Sequence, residues 1–276
     1  MSMRLFDTHF HLDKDCSFEE YRQKCAGDLR LAAGNFREVP EKLLMLCAGS
    51  NFAESQRARD FAAFAPEVYF ACGVHPHDAV NYLTDREDFS VFAGERKLLA
   101  VGEIGLDYFY DYSDPVSQKK VLEEFLALAL QWNLPAMLHL RDKNDCRQAY
   151  EDALAILTPF VQAGGRFVIH CYAGSVADAE KFLELGGFFG VGGMYTFKAA
   201  HNIREAIAVI PTERLLIETD SPYLAPVPFR GRSNTPGMVA LVAQALGCDR
   251  QMLPEKAAEV FTDNAIKFYR IGELER

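Results

Sequence analysis

Eight short apolar runs recur along the chain, and each has the length of a buried strand. They occupy residues 3–6, 42–48, 67–73, 97–103, 135–139, 166–170, 188–191 and 215–220. Hydrophobicity within most runs is continuous instead of alternating, which is typical of strands covered on both faces of a parallel sheet. The pattern therefore predicts eight buried parallel strands.

Segments with helical spacing separate or follow these strands. The predicted helices cover residues 17–33, 53–65, 114–132, 144–157, 175–185, 202–210, 236–246 and 254–269. Asp114 can cap the third helix with Pro115 at its first position, and Ser175 can cap the fifth. Gly186 and Gly187 can end the fifth helix, because glycine readily adopts the left-handed backbone conformation.

Strands that alternate with helices, without an antiparallel hairpin signal, favour a closed (β/α)8 TIM barrel. No composition shift or linker divides the chain, so we expect one domain over residues 1–276. The main alternative is an open doubly wound sheet, which normally carries a glycine-rich phosphate-binding turn after its first strand. Here the first strand leads instead into Asp7-Thr8-His9-Phe10-His11.

Composition narrows the class of protein. The chain has 276 residues, of which 49% are hydrophobic and 25% charged, so it can bury a sizeable core and does not resemble a disordered chain. No apolar run approaches the roughly 18 residues of a membrane span, and we recognise no signal-peptide core. Seven scattered cysteines without a Cys-x-x-Cys pair fit a reducing compartment. We expect a soluble, cytoplasmic protein with no membrane partner.

The formal net charge of the chain is −10 at pH 7. A negative surplus of this kind opposes broad electrostatic attraction to nucleic acid or to an anionic membrane. Any polyanionic substrate would therefore have to be held locally, by a few basic side chains or by metal ions.

The histidines concentrate where the predicted strands end, which is the rim that carries the active site in a barrel. Alternate side chains of a strand share a face, so His9 and His11 can point to one centre with Asp7 behind them. Glu103 and Asp220 also end apolar runs, where a buried carboxylate is costly unless it is paired or bound to metal. Six of the seven histidines fall on this rim: His9, His11, His75, His77, His139 and His170.

Each of these residues has an ordinary structural explanation when it is considered alone. A single histidine could be a hydrogen-bonded core residue, Asp220 could cap a helix, and a carboxylate could pair with arginine. Together, the four histidines and two carboxylates on one rim are more ligands than one four-coordinate ion can bind. They fit two ions that share a bridging ligand.

Six ordered motifs resemble the TatD family of metal-dependent deoxyribonucleases, which belongs to the amidohydrolase-like barrels. The resemblance runs from residue 5 to about residue 268 and is much more specific for the family than for a substrate. The motifs are Asp7-Thr8-His9-Phe10-His11-Leu12-Asp13, Gly73-Val74-His75-Pro76-His77, Gly102-Glu103-Ile104-Gly105-Leu106-Asp107-Tyr108, His139-Leu140-Arg141-Asp142, residues 169–175 and residues 218–226.

The resemblance implies a role for several of these residues. One divalent ion would be held by His9, His11, Glu103 and Asp220, and the other by His139, His170 and the shared Glu103. His75 would contact the substrate, Asp7 would support the ligands, and Arg230 and Arg232 would lie near the substrate. The chain departs from the usual family pattern at Phe10, Leu140, Ser233 and Thr235, and its segment 15–41 looks longer than usual.

The function that we expect is hydrolysis of a phosphodiester near a DNA strand end by a water that two metal ions activate. Asp220 would orient this water and take its proton, and Glu103 would bridge the ions. His75 with Arg141 or Arg230 would bind negative charge. The ions could be zinc, magnesium or manganese, since histidine ligation suits zinc whereas nuclease chemistry often uses the harder ions.

Two alternatives remain open from the sequence. The same two-metal site could hydrolyse a small amide, lactone or other ester, which would call for apolar or specific polar pockets more than for arginines. The protein could also bind metal or a partner without catalysis, although this would not explain a complete ligand set together with a candidate base.

Overall fold

A computed structural model of the chain describes residues 3–110, 112–143 and 146–274. Eight strands form one parallel sheet in the consecutive order β1 to β8. They are β1 Arg4–Phe10, β2 Lys42–Ala48, β3 Val68–Cys72, β4 Leu98–Asp107, β5 Ala136–Arg141, β6 Phe167–Ile169, β7 Phe188–Val191 and β8 Leu215–Ile217. The eight-stranded parallel arrangement that the apolar runs predict is confirmed.

Helices connect the strands and pack around the outside of the sheet. In the described residues they are α1 Phe18–Ala32, α2 Phe52–Phe64, α3 Ala79–Asp85, α4 Pro115–Trp132, α5 Gln148–Gln162, α6 Val176–Glu184, α7 His201–Ala208, α8 Val239–Asp249, α9 Pro254–Phe268 and α10 Ile271–Leu274. None of these described helices combines the length and the apolar character that crossing a membrane would require.

The first and last strands approach each other and nearly close the sheet into a barrel. Thr8 Oγ1 donates a hydrogen bond of 3.0 Å to the carbonyl of Ile217. Just beyond β8, Phe10 and Ser221 form a parallel bridge, and His11 N–H donates to the carbonyl of Ser221 at 2.7 Å. The fold is therefore a (β/α)8 TIM barrel, with the carboxyl ends of all eight strands on one rim.

Apolar side chains cover both faces of the strands, which explains the continuous hydrophobic runs. One buried cluster includes Phe6, Leu44, Leu99, Met137 and Leu216, which come from five different strands. A larger cluster packs the strands against the surrounding helices. Because the barrel interior is filled with side chains, an active site is expected at the rim formed by the carboxyl ends of the strands.

Several predicted boundaries are wrong by a few residues. β4 does not end at Glu103 but continues to Asp107. The fourth predicted helix, at 144–157, is observed as Gln148–Gln162, and its predicted start lies outside the described residues. The short helix α3, Ala79–Asp85, was not predicted, because seven residues carry too little periodicity to be recognised.

Candidate metal centre

Six polar side chains converge inside the rim at the carboxyl ends of the strands. Their ligand atoms form overlapping groups in which the atoms lie within 4.8 Å of one another. They are His9 in β1 and His11 directly after it, Glu103 in β4, His139 in β5, His170 directly after β6 and Asp220 beyond β8. The structure thus brings together all six residues that the sequence resemblance implies as ligands.

One half of the centre surrounds a single oxygen of Glu103. The Nε2 atoms of His9 and His11 lie 3.6 and 3.3 Å from Glu103 Oε2. The same two nitrogens each lie 3.6 Å from Asp220 Oδ1. Two imidazole nitrogens and two carboxylate oxygens therefore face one position, which matches the ligand number and type of a tetrahedral zinc site.

The other half surrounds the second oxygen of Glu103. His170 Nε2 lies 2.6 Å and His139 Nδ1 2.9 Å from Glu103 Oε1. The ring of His170 also stacks on that of His9, with centroids 4.0 Å apart, so the two halves adjoin. Glu103 presents one carboxylate oxygen to each half, as a bridging ligand would.

These donor atoms suit divalent cations. His9 Nε2 and His11 Nε2 face each other at 3.1 Å, and neutral imidazole lone pairs repel at this distance unless a proton or a cation lies between them. Burial, assisted by His170, lowers the pKa of His9 well below its usual range and keeps the ring neutral, as metal binding requires. Burial raises the pKa of Glu103, but the surrounding histidines, His170 foremost, lower it well below its usual range. The carboxylate therefore stays ionised.

Asp107 fixes the orientation of His139, and sequence reasoning gave it no role. Its Oδ2 lies 3.0 Å from Nε2 of His139 and 3.0 Å from Nε2 of His77. A carboxylate can only accept, so His139 donates from Nε2 to Asp107. A metal ion between His139 Nδ1 and Glu103 would bind the lone pair that this tautomer leaves on Nδ1. Burial raises the pKa of Asp107, but the hydrogen bond and charge of His139, together with hydrogen bonds from Tyr110 N–H and His77, lower it below its usual range.

We predict that Asp107→Asn weakens binding of one divalent ion by about 10- to 100-fold, because the amide no longer holds His139 in the ligand tautomer. Titration of the metal-free protein with zinc and with manganese, followed by calorimetry, measures this loss. His77→Ala is the matched control, since it removes the other imidazole on Asp107 and leaves His139 in place. Equal effects of the two substitutions would contradict the role of Asp107.

Glu218 is a further buried carboxylate that sequence reasoning missed. Its Oε1 accepts a hydrogen bond from the backbone N–H of Cys171 and faces His170 Nδ1 at 3.6 Å. A Cβ on Gly190 would lie 2.1 Å from Glu218 Oε2, so glycine at that position makes room for this carboxylate. Glu218 thus lies on the side of His170 away from Glu103, close to His170 Nδ1, which makes no hydrogen bond within the described residues.

Asp7 holds the loop that carries Asp220. Its Oδ1 accepts from Thr219 N–H at 2.8 Å and its Oδ2 from the Thr219 hydroxyl at 2.6 Å. Asp220 N–H then donates to the carbonyl of His9 at 2.9 Å. The pairing of β1 with β2 is irregular between Asp7 and Phe10. Asp7 therefore does not simply share one strand face with His9 and His11, as regular alternation would predict. Its contacts are with the neighbouring loop.

Asp220 occupies a constrained and half-buried position. Its backbone φ of 54° lies in the left-handed region, which is uncommon for a residue other than glycine. Asn234 steadies the loop by donating to the carbonyls of Thr219 and Tyr223 at 2.9 and 2.8 Å. Burial raises the pKa of Asp220 to about 6, although His170 opposes the shift, and a bound cation would lower the pKa again.

His75 lies beside the centre as a hydrogen-bond donor. Its Nδ1 accepts from the backbone N–H of His77 at 3.2 Å, so the proton of the neutral ring belongs on Nε2. That atom lies 3.7 Å from Glu103 Oε1. Burial lowers the pKa of His75 well below its usual range. This tautomer allows His75 to donate to a substrate oxygen, and His75 also belongs, with Glu103 and His139, to a group that could hold a metal ion.

The two arginines of the sequence prediction lie against aromatic rings. The guanidinium of Arg141 is 4.2 Å from the Phe109 ring centroid, and that of Arg230 is 4.1 Å from the Phe197 centroid. Within the described residues, no hydrogen bond or ion pair joins either arginine to the six converging side chains. Their contact with a substrate stays a prediction.

An eight-stranded parallel barrel with buried histidines and carboxylates at the carboxyl ends of its strands is the architecture of a metal-dependent hydrolase. A family model described as TatD related DNase matches residues 6–270. The chain belongs to this family, whose members are metal-dependent, and its buried His, Glu and Asp groups could bind metal ions.

Named relatives agree with this assignment. The uncharacterised metal-dependent hydrolase YcfH of Escherichia coli K12 is 35% identical over 271 residues, which cover 98% of this chain and 97% of YcfH. The 3'-5' ssDNA/RNA exonuclease TatD of Citrobacter rodentium is 32% identical over 233 residues, 82% of this chain and 86% of that protein. The crystal structure of the TatD homologue YjjV of Escherichia coli K12 superimposes with a TM-score of 0.79 at 27% identity, covering 98% of this chain and 99% of that one.

Proposed function

We propose that this protein is a metal-dependent nuclease that hydrolyses phosphodiester bonds near the ends of single strands of DNA, using two divalent ions. The observation that carries the proposal is the division of the converging side chains into two halves that share Glu103. Two metal sites with a common ligand suit in-line displacement at phosphorus. Relatives named 3'-5' ssDNA/RNA exonuclease TatD support this choice of substrate and suggest the direction of cleavage.

In this proposal, the four histidines, Glu103 and Asp220 hold the two ions. Ions held there would polarise the phosphoryl oxygen and make a water molecule more acidic. Asp220 uses Oδ1 towards His9 and His11, and Oδ2 accepts the proton of the attacking water. His75 donates a hydrogen bond from Nε2 to a non-bridging phosphoryl oxygen.

The charge distribution predicts that the protein contacts only a few nucleotides of the strand, which is called the local grip. With a net charge of −10, the surface as a whole repels a polyanion, so only the metal centre and a few nearby residues such as Arg141, Lys143, Arg230 and Arg232 attract it. Each phosphate neutralised by the protein contributes about −0.7 to the salt slope for a single strand. We therefore expect a shallow dependence of log(kcat/KM) on log salt.

The test compares a short linear single strand, labelled at either end, with a closed single-stranded circle of the same composition. We expect the linear strand to be shortened from its 3' end and the circle to resist. Rapid nicking of the circle, or a steep salt slope, would refute the local grip. A parallel panel of amides and lactones tests the small-molecule alternative, and metal-free protein is the control in each assay.

A further inference from the structure

Three aromatic side chains stand exposed directly after β4. The exposed fractions of Phe109, Tyr110 and Tyr112 are 37%, 37% and 67%. The rings of Tyr110 and Tyr112 stack at an interplanar angle of 30° with centroids 5.5 Å apart, and Phe109 packs edge-on against Tyr110 at 4.8 Å. These three residues are called the aromatic ladder below. Neighbouring exposed rings of this kind often mark a binding surface.

The ladder is tied to the metal centre through Asp107. Asp107 Oδ1 accepts from the backbone N–H groups of Phe109 and Tyr110 at 2.9 and 3.1 Å. The other oxygen of the same carboxylate receives His139 and His77. One side chain therefore positions both a candidate ligand and the start of the ladder, so their relative placement is fixed.

The ring of His77 lies between the ladder and the centre, with its centroid 6.3 Å from that of His139. The His77 ring is 5.3 Å from Tyr110 and 4.7 Å from Tyr112, and it is 4.3 Å from the His75 ring on its other side. His75 in turn is 3.7 Å from Glu103. A group stacked on Tyr112 would thus belong to the part of the substrate next to the reacting bond.

Positive charge and open space accompany the rings. The guanidinium of Arg141 lies 4.2 Å from the Phe109 centroid and 4.9 Å from that of Tyr110. Tyr110 also lines a cleft of about 390 Å³ whose wall carries charges of both signs, from Lys119 and Lys143 and from Asp107, Asp142 and Asp152. Lys119 pairs with Asp152 at 3.1 Å, so Arg141 is the cation placed directly on the rings. Exposed aromatic rings combined with cations are characteristic of surfaces that bind single-stranded nucleic acid, because any base can stack on them.

We propose that the aromatic ladder is a stacking site for one nucleobase next to the scissile phosphodiester, with Tyr112 as the outermost ring. The proposal rests on the proposed nuclease function and adds to it a residue set that recognises the base. A base can stack on Tyr112 only when it is turned out of a duplex. The ladder would therefore favour single strands and splayed ends.

The test measures binding, so that it does not depend on turnover. The probes are fluorescein-labelled pentanucleotides whose linkages are phosphorothioates, with either a normal nucleotide or an abasic residue at each of the last three positions in turn. We expect the normal strand to bind wild-type protein more tightly than the abasic strand at one position, by about tenfold. Tyr112→Ala should lose this preference, and Tyr112→Phe should retain it.

Phe64→Ala is the matched control, because Phe64 is also an exposed ring, at 49%, but lies at the end of α2. It should bind both probes as wild type does. The stacking site would be overturned if wild-type protein and Tyr112→Ala showed the same preference for the normal strand over the abasic strand. It would also be overturned if Tyr112→Ala changed the oligomeric state of the protein and left this preference unchanged. Absence of cleavage of an unmodified strand, together with retained base-dependent binding, would refute the nuclease function and leave the stacking site standing.

Discussion

Glu103→Gln is expected to reduce the tightly bound divalent ions from about two per chain to at most one, and to lower kcat by roughly 10³-fold. The reason is that each oxygen of Glu103 faces a different pair of histidines, at 3.3 and 3.6 Å on one side and 2.6 and 2.9 Å on the other. Glutamine keeps the shape of the side chain but replaces one carboxylate oxygen with an NH2 group, which cannot bind a cation, and removes the negative charge.

Elemental analysis of dialysed protein measures the ion content, and turnover of a short single strand at saturating metal measures kcat. Glu180→Gln is the matched control, because Glu180 is exposed on α6 and the same charge is removed. Thermal denaturation of both variants checks that they are folded. Retention of two ions with unchanged affinity in Glu103→Gln would show that Glu103 is not a shared ligand.

The architecture could be predicted from the sequence because buried parallel strands have a simple pattern. The runs at 42–48 and 188–191 match β2 and β7 residue for residue. The prediction failed where charge enters a strand. β4 continues beyond Glu103 because three of its later residues, Ile104, Leu106 and Asp107, are fully buried, and contacts with histidines of other strands stabilise the two carboxylates. Hydrophobic periodicity alone cannot reveal such long-range pairing.

The candidate ligands and a supporting role for Asp7 could be predicted from motifs, but the partners of Asp7 and the roles of Asp107 and Glu218 could not. His9, His139 and Asp220 belong to recognisable motifs at strand ends, and a barrel topology places strand ends together. The hydrogen bond from His139 to Asp107 spans 32 positions, and the bond from Thr219 to Asp7 spans 212. Nothing in the local sequence distinguishes these carboxylates from a helix cap. Their partners become visible only when the register of neighbouring strands is known.

Residues at which the chain departs from the family pattern lie in the hydrophobic core or in a contact with α1. Phe10 is fully buried and packs against Tyr21 and Phe61 outside the metal centre, and Leu140 is also buried in the hydrophobic core. Thr235 donates its hydroxyl to Asp28 at 2.8 Å and thus connects the last loop to α1. None of these contacts involves the six converging side chains, so the departures at Phe10, Leu140 and Thr235 leave the centre intact.

Asp220→Asn is expected to lower kcat by about 10²- to 10⁴-fold and to change KM much less. Asparagine can still place an oxygen near His9 and His11, but its amide cannot accept the proton of an attacking water. Because Asp220 N–H is already fixed on the carbonyl of His9, the substituted side chain should keep the position of the original. Steady-state kinetics on a short single strand measure both constants.

The metal content of Asp220→Asn must be determined beside the kinetics, since Asp220 Oδ1 also faces one of the two metal positions. The expected result is loss of turnover in protein that retains its ions at saturating metal. Asp85→Asn, an exposed aspartate at the end of α3, is the matched control and should turn over as wild type does. An effect on KM alone, at full metal occupancy, would mean that Asp220 positions the substrate and that another group takes the proton.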